Sequence, residues 1–207
     1  PVCSSAASDV YKRQLRKKKP TTQSTRNLIQ VHNKELTKKP FLKKKIIGLK
    51  NNSGRNNSGK ITVRRIGGGH KQKYRKLNYS RTTEFNGIVT SLEYDPNRSA
   101  NIASIYDYKK KNYEYILAPK NLKIGDIIKS GVNADVKNGH SLPLSKIPVG
   151  SLINCISTET TSQAKITRSA GTFSQLIEKT TKHARIQISS GEQRQVSVNC
   201  FATIGVV

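Results

Sequence analysis

Short apolar runs, separated by turn residues, fill the chain after Lys60. Most are rich in β-branched or aromatic residues, and none continues at the 3.6-residue period of an amphipathic helix. They predict strands at 61–66, 87–94, 102–108, 113–117, 124–128, 149–156, 173–178, 184–188 and 195–200. Polar turn signals, such as Asp-Pro-Asn at 95–97 and Lys-Asn-Gly at 137–139, stand between the runs. The pattern predicts an all-β protein.

The predicted strands form two series. Four or five short strands with a long basic loop are typical of a closed OB-fold barrel, which we assign to residues 54–129 as an RNA-binding domain. The later, shorter strands predict an SH3-like barrel at residues 130–207. Residues 15–53 show neither a helical nor a strand period. Their prolines and lysine clusters predict an extended basic N-terminal arm that becomes ordered against phosphates.

The first 14 residues, PVCSSAASDVYKRQ, differ in texture from the rest of the chain, and the chain contains no Met. We expect residues 1–14 to be a scar from a translated adapter sequence, outside the fold. The alternative is a targeting peptide, because the segment is rich in serine and nearly free of acids.

Charge is unevenly distributed along the 207 residues, whose net charge is +26. Residues 12–81 contain 23 Lys or Arg and one acid, Glu35, whereas residues 82–207 contain 15 Lys or Arg and 10 acids. A merely solvated surface would mix both signs, so this asymmetry predicts a polyanionic partner. No segment approaches the roughly 20 apolar residues that cross a bilayer, so no membrane partner is expected.

Cysteine and histidine spacing indicates no metal, cofactor or disulfide framework. The three cysteines are scattered and form no CxxC pair, and the runs around Cys155 and Cys200 predict core packing. His32, His140 and His183 share no ligand spacing, so we interpret them as surface histidines.

The segment 54–76, GRNNSGKITVRRIGGGHKQKYRK, has the strongest functional signal. It holds eight Lys or Arg and no carboxylate. Arg and Lys bind phosphates as forks and point charges. The triple glycine allows another polymer to approach closely because no Cβ intervenes. Asn56 and Asn57 add amides that can contact bases or sugars. We predict that this loop binds nucleic acid, and RNA first.

Two enzymatic interpretations of this loop are weak. Gly54-x4-Gly59-Lys60 approaches a phosphate-binding P-loop, but Ile61 stands where Ser or Thr would hold magnesium. His70 has no Ser, Cys or carboxylate nearby in sequence to complete a nucleophile–base pair. Contact with RNA is the preferred role for His70, ahead of a structural hydrogen bond and of catalysis. No catalytic residue is predicted.

Three further features leave alternatives open. Arg98 and Asn101 either face RNA or belong to a hairpin turn whose Asp95 and Asn97 bond their own backbone. Arg168, among the small residues of 167–172, is equally compatible with RNA contact and a structural role. The tyrosines are either a base-stacking platform or half-buried strand residues. They are Tyr74, Tyr79, Tyr94, Tyr106, Tyr108, Tyr113 and Tyr115, of which only Tyr74 lies in the basic loop.

Five stretches occur in a characteristic order: GRNNSGKITVRRIGGGHKQKYR, LEYDPNRSANIA, YILAPKNLKIGD, LPLSKIPVGS and RSAGT. Together they resemble the large-subunit ribosomal protein L2 family in its bacterial and organellar form, over roughly residues 20–207. The resemblance implies an OB-like barrel, an SH3-like barrel and a basic extension, docked on 23S-type ribosomal RNA (rRNA) and near other large-subunit proteins. It implies support of the peptidyl-transferase region and of subunit association, without catalysis.

The resemblance also implies which residues contact rRNA. In the basic loop they are Arg55, Asn56, Asn57, Lys60, Arg64, Arg65, Gly67, Gly68, Gly69, His70, Lys71, Tyr74 and Arg75. Elsewhere they are Arg98, Ser99, Asn101, Arg168, Ser169 and Gly171. Family members often carry His where this chain has Arg65, so a phosphate contact is implied there but no role that needs an imidazole.

Family members continue into a Gly-, Arg- and His-rich tail with a His-Pro-His-Gly-Gly-Gly signature, which has no counterpart in this sequence. We expect either a fragment or a split gene whose second polypeptide carries the tail. A split gene and the Lys- and Asn-rich composition favour a ribosome of the mitochondrial matrix, with a plastid or the bacterial cytoplasm as alternatives. The rival functions are a free single-strand RNA-binding OB protein and an RNA-processing enzyme.

Overall fold

A computed structural model describes residues 15–31, 36–37, 39–160 and 162–207. Those ranges contain sixteen short strands and two 3-10 turns, and no α-helix. The predicted all-β class, an OB-fold barrel followed by an SH3-like barrel, is confirmed. The predicted scar at residues 1–14 and the histidine His32 lie outside the described residues. The chain divides into two compact units, one up to Leu36 and one from Thr37 onward.

The first unit contains an antiparallel pair of strands, β1 (Leu15–Lys17) and β2 (Ile29–Val31), with Arg16 opposite Gln30. The sequence showed no strand period in the predicted arm. Strands of three residues are extended backbone, but they are too short to produce a recognisable alternation of polar and apolar residues. Charged and polar side chains also occupy much of this strand pair, so its sequence shows no alternation of buried apolar and exposed polar residues.

The second unit begins with the OB-fold barrel, whose longest strand pairs with neighbours on both sides. Its strands are β3 (Ile46–Gly48), β4 (Lys73–Arg75), β5 (Phe85–Glu93), β6 (Ile102–Asp107), β7 (Asn112–Leu117) and β8 (Ile127–Ser130). Strand β5 pairs antiparallel with β6 and with β8, β6 pairs with β7, and β3 pairs with β4. A 3-10 turn at Lys43–Lys45 precedes β3. The β3–β4 pair holds the two ends of the basic loop together.

Most strands of the SH3-like barrel continue the same sheet. Its strands are β9 (Ser141–Pro143), β10 (Leu152–Asn154), β11 (Ile156–Ser157), β12 (Ala164–Ile166), β13 (Ser174–Lys179), β14 (His183–Ile188), β15 (Gln193–Ser197) and β16 (Phe201–Ile204). Parallel pairing of β8 with β9, at Ser130 and Ser141, joins the two barrels in one ten-stranded sheet. The core of this barrel includes Leu142, Leu144, Ile153, Leu176 and Ile186, which have no exposed surface.

The structure departs from the predicted strands in two places. Residues 61–66 form bends and turns, with only an isolated bridge between Arg55 and Ile61, so the strand predicted there is wrong. All six residues are exposed, and β-branched side chains favour a strand only where a packed surface receives them. The run 149–156 is interrupted at Cys155, whose φ of 48° lies in the left-handed region and separates β10 from β11.

Candidate nucleic-acid interface

The basic loop folds back on itself through its own backbone and amides. The Oδ1 atom of Asn56 accepts hydrogen bonds from the Ser58 hydroxyl and the Lys60 backbone N–H, both at 2.9 Å. The carbonyl oxygen of Gly54 accepts a bond from the Thr62 N–H at 2.9 Å. Every residue from 55 to 73 is exposed, so the predicted contacts between Arg55 and Lys71 all lie at the surface.

Two glycines of the triple-glycine run have open space where a side chain would stand. A Cβ added at Gly67 or Gly69 would meet no atom of the described chain within 4 Å, and neither residue has a left-handed φ. Packing within the described part of the chain therefore does not require glycine at these positions. Gly68 differs, since a Cβ there would clash with the side chain of Ser53. The open backbone at Gly67 and Gly69 can receive a close ligand.

The carboxylate of Asp95 connects the predicted turn to the end of the basic loop. Asp95 is buried, and its Oδ2 atom accepts a hydrogen bond from Arg98 Nε at 2.8 Å. A guanidinium nitrogen of Arg75 lies 3.8 Å from Oδ1. Oδ1 also accepts the Asn97 N–H at 3.0 Å, and the Asn97 amide donates to the Lys73 carbonyl at 2.9 Å. Asp95 thus makes the local bond of a hairpin turn and also orients Arg98.

Tyr79 brings together arginines from the two barrels. Arg98 donates a hydrogen bond to the Tyr79 hydroxyl. The guanidinium carbon of Arg168 lies 5.1 Å from the centroid of the Tyr79 ring, within cation–π distance. Arg98 also lies over the Tyr74 ring, at 5.8 Å from its centroid. We call Arg75, Arg98 and Arg168, held by Asp95 and Tyr79, the arginine cluster.

Electrostatics keeps this cluster positively charged. Burial acts to lower the pKa of Arg98, but Tyr79 and Asp95 raise it above its ordinary value. Burial raises the pKa of the Tyr79 hydroxyl, with Arg98 and Arg168 acting in the opposite direction. The tyrosine therefore stays neutral and the arginine stays cationic at neutral pH. Arg168 is exposed, whereas the Arg75 side chain is only 9% exposed. Arg75 therefore lies inside the cluster.

The remaining predicted contacts lie around these groups or within the loop. Ser99, Ser169 and Gly171 are exposed, and Asn101 is half-buried. His70 is exposed, and its Nδ1 atom lies 3.1 Å from the carbonyl oxygen of the next residue. That contact belongs to the loop itself.

Sequence reasoning did not single out Arg81, which lies between the barrels. One terminal nitrogen donates to the Gly139 carbonyl at 2.9 Å and the other to the Thr203 hydroxyl at 3.4 Å. Its Nε atom has no partner among the described atoms. Burial lowers the pKa of Arg81 to about 10. Arg81 and Cys155 line a cavity of about 20 Å³, enough for one water molecule.

One histidine that was predicted to lie at the surface is buried. His140 is only 3% exposed, so its prediction as a surface residue is wrong. Its Nδ1 atom lies 2.9 Å from the Asp135 carbonyl oxygen and its Nε2 atom 3.1 Å from that of Ile127. The ring thus packs between two carbonyl groups in the connection between β8 and β9, which explains its burial. His183 is exposed, as predicted.

In the described ranges, no three His, Cys, Asp or Glu side chains cluster in a way that could hold a metal ion. Within the same ranges, no helix has the length and apolar character needed to span a membrane.

Two β-barrels that carry an exposed basic loop and a shared arginine cluster define an RNA-binding protein. Comparison with protein-family models supports this class. Residues 42–130 match Ribosomal Proteins L2, RNA binding N-terminal domain, and residues 137–207 match Ribosomal Proteins L2, C-terminal domain. The chain belongs to the ribosomal protein L2 family, as its motifs predicted. It is a structural protein of the large ribosomal subunit that binds rRNA.

Proposed function

We propose that the chain binds large-subunit rRNA through one composite surface, made of the exposed residues 55–73 of the basic loop and the arginine cluster. One observation carries the proposal: Arg98 and Arg168 come from different barrels and both contact Tyr79. An RNA strand bound there would engage both barrels at once and fix their position on the rRNA.

The mechanism is scaffolding rather than catalysis. Asp95 and Tyr79 hold the guanidinium groups in place, so less side-chain entropy is lost when the groups meet phosphates. The exposed lysines and arginines of the loop neutralise further phosphates and release their counterions. If about six to ten phosphates are engaged, the affinity falls by roughly 10³ to 10⁵ between 50 and 200 mM salt. The loop and cluster read the shape of folded RNA more than its sequence.

Filter binding of the full chain to a large-subunit rRNA fragment tests the surface. We expect Arg168→Ala to weaken binding by about tenfold, since a guanidinium fork and its charge are lost. Arg168→Lys should weaken it less, because the charge remains. The matched control is Arg194→Ala, which removes an exposed arginine of the same barrel that is paired with Glu192. Equal affinities for Arg168→Ala and the control would refute the composite surface.

We also propose that this protein serves a mitochondrial ribosome, where it supports the peptidyl-transferase region and subunit association. The Lys- and Asn-rich composition supports the mitochondrial assignment, and the family resemblance supports the role within the subunit. Mass spectrometry of salt-washed ribosomes from fractionated cells tests it. Peptides of this chain in mitochondrial large subunits would support the assignment, and peptides only in plastid or cytosolic ribosomes would refute it.

The rival function, a free single-strand RNA-binding OB protein, predicts a different distribution of peptides in that experiment. Its peptides would remain at the top of the gradient after a high-salt wash, while those of other large-subunit proteins sediment. That distribution would refute the ribosomal role.

A further inference from the structure

Four aromatic rings form a continuous row on the OB-fold barrel, away from the arginine cluster in sequence. Phe41 contacts Tyr113 with ring centroids 5.3 Å apart, Tyr113 contacts Tyr106 at 4.8 Å, and Tyr106 contacts Tyr108 at 5.6 Å. The Phe41–Tyr113 and Tyr106–Tyr108 pairs are edge-to-face, a favourable aromatic geometry. We call these four residues the aromatic row.

The row is built by the sheet and by a docked segment of chain. Tyr106 of β6 lies directly opposite Tyr113 of β7, which places both rings on one face. Phe41 reaches that face because its backbone N–H donates to the Glu93 carboxylate at 2.9 Å. The next N–H, that of Leu42, donates to the Tyr115 hydroxyl at 2.9 Å. Strand pairing and two hydrogen bonds to buried side chains therefore fix the positions of three of the rings.

Both ends of the row are open to solvent. Phe41 is 51% exposed and Tyr108 is 52% exposed, while Tyr106 and Tyr113 are half-buried. Single exposed apolar residues are ordinary, but a contiguous aromatic patch marks a contact surface.

Lysines flank the row at both ends. Lys109, Lys110 and Lys111 follow Tyr108 at the hairpin tip, and Lys43 and Lys44 follow Phe41; all five are exposed. Lys109 pairs with the exposed Glu84 at 3.4 Å, a weak surface contact. Aromatic rings with lysines beside them are complementary to nucleotides, whose bases have phosphates beside them. An apolar protein partner would gain nothing from the lysines.

We propose that the aromatic row is a second RNA-contact site, which stacks unpaired bases of rRNA while the flanking lysines bind the adjoining phosphates. The two strands that carry the row, β6 and β7, are paired in the OB-fold barrel, a fold that binds oligonucleotides. Base–aromatic stacking contributes about 1–3 kcal/mol per base and tolerates any sequence. The inference rests on the proposed rRNA-binding function, because it assigns the bases to rRNA.

Binding of the full chain to a fluorescent oligouridine, which cannot form a duplex, tests the row directly. We expect the double variant Phe41→Leu with Tyr108→Leu to bind about tenfold or more weakly, since it keeps apolar bulk and loses both exposed rings. The matched control, Phe41→Tyr with Tyr108→Phe, keeps both rings and should retain its affinity. Circular dichroism must show the same β content in both. Equal oligouridine affinity for the two double variants would overturn the proposal.

Ultraviolet cross-linking of intact ribosomes provides the second measurement. Nucleotide adducts on peptides that contain Phe41 or Tyr108 would support the row, whereas protein cross-links at both positions without RNA adducts would overturn it. Arg168→Ala, measured in parallel on the rRNA fragment, separates the two proposals. If Arg168→Ala loses fragment binding while the Leu double variant keeps its affinity for oligouridine, only the aromatic row is refuted. Unchanged fragment binding in Arg168→Ala refutes the composite surface.

Discussion

The hydroxyl of Tyr115 donates a hydrogen bond to the Glu93 carboxylate at 2.9 Å, and both side chains are buried in the OB-fold barrel. Each partner also receives a backbone N–H from the segment that precedes β3, Glu93 from Phe41 and Tyr115 from Leu42. Ser91 donates a further hydrogen bond to the same carboxylate at 3.2 Å. The pair therefore anchors the incoming chain to the barrel wall and positions one end of the aromatic row.

Removal of the Tyr115 hydroxyl should release this segment. Tyr115→Phe leaves the Leu42 N–H and one side of the Glu93 carboxylate without a partner, which costs about 1–3 kcal/mol in the free energy of unfolding. Urea denaturation measures the loss, and hydrogen exchange should show faster exchange of the Phe41 and Leu42 amides. Tyr113→Phe is the control, since it removes a hydroxyl from a half-buried ring of the same strand. Identical exchange in both variants would contradict the anchoring role.

The same hydroxyl should make the protein sensitive to alkaline pH. Burial and the neighbouring Glu93 carboxylate raise the pKa of Tyr115 to about 12, above the ordinary value of 10.0, although the Leu42 N–H opposes them. Between about pH 10 and 12 the unfolded chain loses this proton while the folded chain keeps it, so the free energy of unfolding falls as pH rises. Tyr115→Phe should show a shallower decline across that window. Parallel declines in the two proteins would refute the assignment.

Asp95 should matter for both stability and RNA binding. Asp95→Asn keeps the shape of the side chain but leaves Arg75 and Arg98 without a countercharge, and breaking a buried ion pair costs about 3–5 kcal/mol. The Arg98 side chain is partly exposed, so we expect the lower end of that range. Affinity for the rRNA fragment should fall by about tenfold, because Arg98 is no longer oriented. Asp135→Asn, which breaks the exposed Lys129–Asp135 pair, is the control and should change neither quantity appreciably.

The basic loop should set the salt dependence of binding. Arg64→Ala with Arg65→Ala removes two exposed cations and should reduce the slope of log affinity against log salt by about 2. The barrels should remain folded, because the loop contributes no buried side chain between residues 55 and 73. Arg185→Ala with Arg194→Ala removes two exposed arginines of the SH3-like barrel and serves as the control. An unchanged slope would mean that Arg64 and Arg65 do not bind RNA phosphates.

Cys155 should react slowly with alkylating reagents at neutral pH. Burial raises the pKa of its thiol to about 11, although Arg81 and Arg168 act in the opposite direction. The thiolate is the reactive form, so the rate of iodoacetamide modification should rise about tenfold per pH unit up to that range. Arg168→Ala removes one opposing cation and should slow the reaction further. Rapid modification of the Cys155 peptide at pH 7.5, measured by mass spectrometry, would contradict the raised pKa.

Strands long enough to show their composition were predictable. Runs near β5, β6 and β7 combine β-branched and aromatic residues over at least five positions, and the observed strands overlap those predictions. Strands β9, β12 and β16 have three or four residues and were missed, because so few positions cannot display a period of two. The run 61–66 shows the opposite error. Its residues favour strands, but no surface of the described chain covers them.

The nucleic-acid interface was also predictable from the sequence only in part. The exposed loop was recognisable from charge and glycine content alone, since such features require no knowledge of neighbours. Arg81 was not singled out, and the contacts of Asp95 and Tyr79 with arginines were not predicted, because each depends on what lies beside the residue in the fold. Tyr79 contacts Arg168, which is distant in sequence, and only the pairing of the two barrels makes that contact.

The sequence by itself determined the all-β class, the basic first third and the set of motifs that identifies the family. These are local properties, written in the composition and spacing of neighbouring residues. Tertiary structure alone decided which side chains are buried, where Arg98 and Arg168 meet, and how Phe41 joins the three tyrosines. Burial and contact arise when strands far apart in the chain pair, and a sheet that spans two barrels is held together by such long-range pairing.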